Sequence, residues 1–223
     1  MHTKQQIGMT LQLYALGEKP RLLLMVSQHG HGPNHLLFRC KSGQLAVDIP
    51  AIVSNHTTLE ALAASYGIPF VHLPLKGGSN PEAQATKAAH EQQGLALTGR
   101  ERIDLVVLAR YMQILSKDFC HALAGRAINI HHSVLPGFKG ARRYFQARAR
   151  GVKLIGATAY DATANLDEGP IIEPDVQRVD HWLSAEDFTA VGRDMEGTVR
   201  ARPLRRHVEW PVRVNGYKCV VFR

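Results

Sequence analysis

Long apolar runs are missing from this chain. No stretch approaches the roughly 18 consecutive apolar residues that a membrane-crossing helix needs. The start, MHTKQQIGMTLQL, has neither the apolar core nor the small-residue cleavage site of a secretory signal. Cysteine is scarce as well. Cys40, Cys120 and Cys219 are odd in number, far apart and without a CxxC pair, which argues against a disulfide framework and against a zinc site. A reducing, cytoplasmic location with no membrane partner is therefore expected. Signatures of nucleotide binding are also absent. The glycines of GHGPN (Gly30 to Asn34) follow the first apolar run, where a dinucleotide fingerprint would sit. Their spacing is not GxGxxG, and no P-loop lysine follows. There is no GxSxG nucleophile elbow and no HExxH pair. No metal and no cofactor is expected.

What is present is ordinary globular material. The chain has 223 residues, 45% hydrophobic and 21% charged, enough for one domain with a proper core. A net charge of +8 favours solubility, or attraction to a polyanion. The basic residues are dispersed, with a mild cluster from Arg202 to His207, and no helix-turn-helix, zinc-finger or RNP-like signature accompanies them. No nucleic-acid partner is expected.

Short apolar runs alternate with amphipathic stretches. Strands are expected at Pro20 to Gln28, Leu45 to Asn55, Pro69 to Leu75, Ile103 to Arg110 and Ala127 to Ser133. Helices are expected at Asn34 to Gly43, from Thr57 to Gly67, from Asn80-Pro81 to about Gly99, and from Ser116 to Arg126. This rhythm predicts an α/β fold: a mostly parallel twisted sheet flanked by helices, of Rossmann-type topology. A Pro/Gly-rich loop (LPGFKGA) and a short helix, RYFQARARG, come next. Two more strands are expected around Lys153 to Thr163 and Ile171 to Val179. A last helix starts near Ser184 and is expected to break or kink at Pro203. A hairpin with Asn215-Gly216 as its turn closes the chain. Residues 7–16, IGMTLQLYAL, read as an orphan strand.

Three segments could carry chemistry, since such sheets bind ligands at the carboxyl ends of their strands. In NIHHS, the alternation of a strand puts Asn129 and His131 on one face. A carboxamide donor beside an imidazole can hold a developing oxyanion. A lone NxH is more often a plain polar strand end. In LDEGP, Asp167 could orient a water or take its proton, although an acid before Gly-Pro is also what an ordinary turn looks like. RYMQILS follows the most buried strand. Backbone groups there could read the edge of a planar heterocycle between the apolar walls of Met112, Ile114 and Leu115. Core packing ahead of a helix cap at Ser116 is the alternative.

Taken together, VSNH (Val53 to His56), YGIPFVHLP (Tyr66 to Pro74), LARYMQILS (Leu108 to Ser116), INIHHSVLPGFKGA (Ile128 to Ala141), RGVKLIGATA (Arg150 to Ala159) and LDEGPII (Leu166 to Ile172) resemble, in the same order, the catalytic domain of the formyltetrahydrofolate deformylases. These belong to the wider formyltransferase family. The NxH and LDxGP motifs mark the whole family. The doubled His131-His132, the GAR segment from Gly140 to Arg142, and VDH (Val179 to His181) point to its hydrolases rather than its transferases.

The resemblance implies that residues 20–223 are a formyltransferase-like catalytic domain, and that residues 1–19 are the remnant of an ACT-type regulatory domain with its linker. It implies hydrolysis of 10-formyltetrahydrofolate to formate and tetrahydrofolate, with the folate as substrate rather than cofactor, and a homo-oligomer. It places the catalytic trio on Asn129, His131 and Asp167. It places the substrate-binding residues on Arg110, Tyr111, Met112, Gln113, Ile114 and Leu115, and on Thr163 and Gly169 of the later loop. The chain departs from the family at Tyr160, where a histidine is usual, at Asp161, where an aromatic is usual, and at Arg143, where proline is expected. Formyl transfer to an amine acceptor, and a folate-binding relic with weak or no turnover, are the alternative readings.

Overall fold

A computed structural model describes residues 18–131, 133–135, 137, 143–209, 213–216 and 218–220. The expected orphan strand at 7–16, residues 1–17 of the expected ACT-type remnant, His132 and the GAR segment lie outside the described residues.

The sheet comes first in the chain and organises everything else. Five strands alternate with helices: β1 (Arg21–Val26), β2 (Asp48–Ser54), β3 (Phe70–His72), β4 (Leu105–Ala109) and β5 (Ala127–His131). Between them run α1 (His31–Lys41), α2 (Glu60–Ser65), α3 (Pro81–Arg100) and α4 (Lys117–Ala122). After α5 (Arg143–Ala149), the strands β6 (Leu154–Asp161) and β7 (Ile171–Arg178) complete the sheet. Its order is β3-β2-β1-β4-β5-β6-β7. The pairings from β3 to β5 are parallel, and those of β5 with β6 and β6 with β7 are antiparallel. The α/β architecture is thus the one expected from the alternating pattern. The strand order reverses between β1 and β4, so the loops that leave these neighbouring strands diverge and open a cleft.

The apolar residues of the strands divide between two cores by simple alternation. Leu22, Leu24, Val26, Val107, Ile128 and Ile130 pack on one side with Leu36, Leu37 and Leu204. Leu23, Met25, Val106, Leu108 and Ala127 pack on the other with Leu97, Phe119 and Leu123. A strand covered on both faces must be apolar where it is buried, which is why LLLMV, after the half-buried Arg21, and LVVLA are unbroken apolar runs. Each fully buried leucine contributes roughly 1.5–3 kcal/mol. Asn129 and His131 lie on the second face, below α3 and α4, because they alternate with Ile128 and Ile130.

Element ends follow local chemistry. Asn80 caps α3 by accepting from the Ala83 N–H at 2.8 Å, and Ser116 caps α4 by accepting from the Phe119 N–H. Helix α1 begins at His31, earlier than expected. Gly32 and Pro33 fall in its first turn, where proline forfeits no intrahelical hydrogen bond. The last helix, α6 (Ala185–Glu209), runs on through Pro203. Pro203 and Leu204 are both buried, Leu204 in the first core, and this packing holds the helix together where the ring alone would break it. The chain then forms the short hairpin of β8 (Arg213–Asn215) and β9 (Lys218–Val220), with Gly216 at a positive φ of 60° in the turn.

Candidate active site

The register between β5 and β6 decides what meets what. Asn129 lies directly opposite Tyr160, and His131 opposite Thr158. Cross-strand partners share a face, so the Tyr160 ring stands over β5 beside the Asn129 carboxamide. The connection from β6 to β7 then folds back and brings Asp167 to the same place. Asp167 Oδ1 lies 3.0 Å from His131 Nδ1 and 2.9 Å from the Tyr160 hydroxyl. The Asn129 Nδ2 donates to the Tyr160 hydroxyl at 2.6 Å. The three residues of the expected catalytic trio are therefore assembled, with Tyr160 between two of them.

Hydrogen-bond logic fixes most of the orientations. The Asn129 Oδ1 accepts from the Ile130 backbone N–H at 2.8 Å, which only an oxygen can do, so the amide nitrogen faces Tyr160. A carboxylate only accepts, so Nδ1 of His131 carries its hydrogen toward Asp167. This leaves Nε2 of His131, which is buried and has no hydrogen-bond partner among the described residues. His131, Tyr160 and Asp167 are all buried, whereas Asn129 is only partly so. A buried polar atom without a partner is costly, and catalytic sites are where such atoms are kept.

Backbone strain marks the same region. Among the described residues, the non-glycine residues at positive φ are Arg102, Arg110 and Asp167. Two of these are expected site residues, and left-handed conformations of bulky side chains persist only where the surroundings impose them. At Asp167 the imposing feature is Gly169. A Cβ there would lie 1.8 Å from the Asp161 carbonyl oxygen and 2.8 Å from the Tyr160 ring. Only glycine lets the turn lie this flat on β6, while the Asp161 N–H bonds the Pro170 carbonyl. Gly169 thus seats the Asp167 turn. Thr163, also on this connection, donates through its hydroxyl to the Asn165 carbonyl at 3.1 Å.

The segment after β4 divides into anchors and walls. Tyr111 points inward, 7% exposed, stacked on His90 with ring centroids 5.9 Å apart. His90 Nδ1 lies 2.8 Å from the Leu73 carbonyl, so it donates there, and Nε2 accepts from the Tyr111 hydroxyl. Burial lowers the pKa of His90, in keeping with a neutral ring. The Met112 N–H donates to the Ser27 hydroxyl, which itself donates to Asn55 Oδ1 at 2.7 Å. The Ser116 N–H donates to Glu91 Oε1 at 2.8 Å. Leu115 packs against the second core, while Met112 and Ile114 are each 61% exposed. Arg110 and Gln113 are half-buried. Of the expected pocket residues, Met112 and Ile114 present apolar surface outward, and Tyr111 and Leu115 hold the segment down.

Ser27, Asn55, His90, Glu91 and Tyr160 were not among the expected site residues. His90 and Glu91 had a visible signal. Both fall on the buried stripe of α3 that includes Ala83, Gly94 and Leu97, where polar side chains need a reason. Among the described residues, no cluster of three or more His, Cys, Asp or Glu could hold a metal ion, and no helix is long and apolar enough to cross a membrane.

Residues 20–203 match the Formyl transferase family. The chain belongs to that family. It is 45% identical over 98% of its length to the formyltetrahydrofolate deformylase of Synechocystis sp., 74% of which it spans. It superposes on the crystal structure of formyltetrahydrofolate deformylase from Burkholderia mallei with a TM-score of 0.86 at 51% identity, covering 92% of this chain and 71% of that one. The crystal structure of a formyltetrahydrofolate deformylase from Pseudomonas putida gives a TM-score of 0.90 at 43% identity, covering 98% and 76%.

Two predictions follow from the packing of the Asp167 turn. Gly169→Ala forces apart the turn and β6, and urea unfolding is expected to register a loss of about 1–3 kcal/mol. An unchanged midpoint would contradict the close approach. The second concerns Asp161, whose carboxyl burial pushes up from 3.8 to about 6, against the lowering effect of the Gly125 and Ala127 N–H groups. The folded state then holds the proton more tightly than the unfolded chain does. The stabilising effect of the protonated carboxyl is present below the unfolded value and is lost as pH rises through the folded one. Stability relative to Asp161→Asn is expected to fall as pH rises from about 4 to about 6, and parallel curves for the two proteins would exclude it.

Proposed function

We propose that this chain hydrolyses 10-formyltetrahydrofolate to formate and tetrahydrofolate, with Asn129, His131 and Asp167 as its catalytic residues. The carrying observation is His131: Asp167 holds its Nδ1, and its Nε2 is buried with no hydrogen-bond partner among the described residues. The relatives at 45% and 51% identity, which bear the name formyltetrahydrofolate deformylase, support the same reaction.

Water is the nucleophile. It attacks the formyl carbon, and the carbonyl oxygen takes on negative charge. The Asn129 carboxamide and Nε2 of an imidazolium at His131 donate to that oxyanion. Asp167 supplies the counter-charge that a buried imidazolium needs. Asp167 also takes the proton that the attacking water loses. The C–N10 bond then breaks as N10 receives a proton from His131 or from a water it orders. Formic acid leaves as formate by losing its proton to water, tetrahydrofolate follows, and the proton on Asp167 returns through solvent to His131. Each step uses water and side chains of this chain, and the reading requires no metal or nucleotide.

Met112 and Ile114 offer exposed apolar faces for the pterin, with the half-buried Arg110 and Gln113 beside them. Tyr111 and Leu115 keep that wall in place from below. Thr163 and Gly169 shape the loop on the opposite side. Assembly as a homo-oligomer in the cytoplasm belongs to the same reading, and light scattering after size-exclusion chromatography tests the assembly.

Transfer to an amine would need an acceptor. The chain is therefore assayed with 10-formyltetrahydrofolate alone, following formate and tetrahydrofolate. Equal release of both is expected, and tight folate binding without release would overturn the hydrolytic reading. Asn129→Ala and Asp167→Asn are each expected to lower turnover by at least about 10²-fold while the circular dichroism spectrum is kept. Near-normal turnover in either variant would remove that residue from the assignment.

A further inference from the structure

We propose that the Tyr160 hydroxyl is a positioning group that ties the oxyanion donor Asn129 to the carboxylate Asp167. This rests on the hydrolytic reading above and adds a residue to it.

The geometry leaves one polarity for the bridge. An amide nitrogen can only donate, and a carboxylate can only accept. The hydroxyl between them therefore accepts from Asn129 Nδ2 at 2.6 Å and donates to Asp167 Oδ1 at 2.9 Å. A phenol has one proton, and this arrangement commits it to Asp167. The carboxamide is then held at both ends, by the Ile130 N–H on its oxygen and by Tyr160 on its nitrogen. Its second N–H has no acceptor among the described residues and is the one available to an oxyanion. A carboxamide so pinned has lost its rotational freedom before substrate arrives, which is what makes a donor effective in the transition state.

The fold makes a place for this ring. Tyr160 is 2% exposed and directly opposite Asn129 in the β5–β6 register. The β6–β7 register shifts between Ala159 and Tyr160, an irregularity of the kind that re-aims a side chain. The missing side chain at Gly169 makes room for the ring edge. A buried phenol needs hydrogen-bond partners, and Asn129 and Asp167, the two given above, are residues of the proposed catalytic trio.

Tyr160→Phe removes the oxygen and keeps the ring. Two measurements read the result. The first needs no substrate: in the 15N-labelled chain, exchange with water of the Asn129 side-chain amide protons is expected to speed up by about 10-fold or more in the variant, as a protecting hydrogen bond is lost. Unchanged exchange would overturn the bridge. The second is kinetic. Tyr160→Phe is expected to lower kcat by about 10- to 100-fold with KM held within about 3-fold. The double variant Tyr160→Phe/Asn129→Ala is expected to be little worse than Asn129→Ala alone, because the two act as one unit. Multiplicative losses, or an unchanged kcat, would overturn the positioning role even if the bridge exists. Should the unaltered chain release no formate, the hydrolytic reading fails by itself, and the exchange measurement still decides whether the hydroxyl pins Asn129.

Discussion

A buried carboxylate has to be surrounded by donors, and much of the arrangement around Asp167 answers that requirement. Its Oδ1 receives His131 from β5 and Tyr160 from β6. To reach both, the chain between β6 and β7 must lie flat on the sheet, and lying flat requires a residue without a side chain at 169. It also requires Asp167 to take up a left-handed backbone, an unfavourable state for an aspartate in isolation though a tolerated one. The strain is held by hydrogen bonds at both ends of the turn, from Asp161 to Pro170 and from Tyr160 to Asp167. Together these contacts keep the turn seated and the carboxylate beside the imidazole. The contact between Asp167 and His131 is thus less a source of stability than a constraint that other contacts maintain.

The segment after β4 is held on another principle. Around Met112 the segment is held from beneath, by neutral hydrogen bonds and by the one buried carboxylate of Glu91. Tyr111 is locked to His90, the Ser116 N–H to Glu91, and the Met112 N–H to Ser27. These anchors come from α3 and from the end of β1, elements already fixed by the two cores. The exposed side chains of Met112 and Ile114 then stand on a backbone with little freedom. A flat heterocycle binds better to apolar surface whose position is already set, because less ordering remains to be done on binding.

How much of this was legible depends on the range of each signal. Alternation of apolar runs with amphipathic stretches gave the strands and helices, since both periods are local. The pairing of Asn129 with His131 on one face was equally local. The Asp167 turn was visible as a motif, and Tyr160 only as a departure from the family, without its contacts. Tyr160 sits opposite Asn129 only because β6 runs antiparallel to β5 in one particular register, and nothing within seven residues of either position states that register. His90 and Glu91 showed as polar positions on the apolar stripe of α3, but their partners, Tyr111 and Ser116, lie on another segment and were not legible for the same reason. Pro203 misled in the opposite direction. As a local signal it ends helices, and the burial that overrides it belongs to the tertiary structure.

The antiparallel turn at β6 has a chemical consequence. In a purely parallel sheet, each strand presents its carboxyl end to one shared edge, and catalytic groups meet through the loops leaving that edge. Here β6 enters beside β5 from the other direction, so its Tyr160 lies alongside the middle of β5 rather than at a loop tip. A side chain carried by a strand on both sides of a ladder is far less mobile than one carried by a loop. Asn129 and Tyr160 are such a pair, and Asp167, the only member of the cluster on a connection, is strapped to both of these strands by His131 and Tyr160. Rigidity in the cluster therefore comes from backbone pairing, and the loop contributes only the charge. For Asn129 in its proposed role as oxyanion donor, such placement leaves nothing to reorganise during the reaction, which is where preorganised dipoles gain their advantage over water.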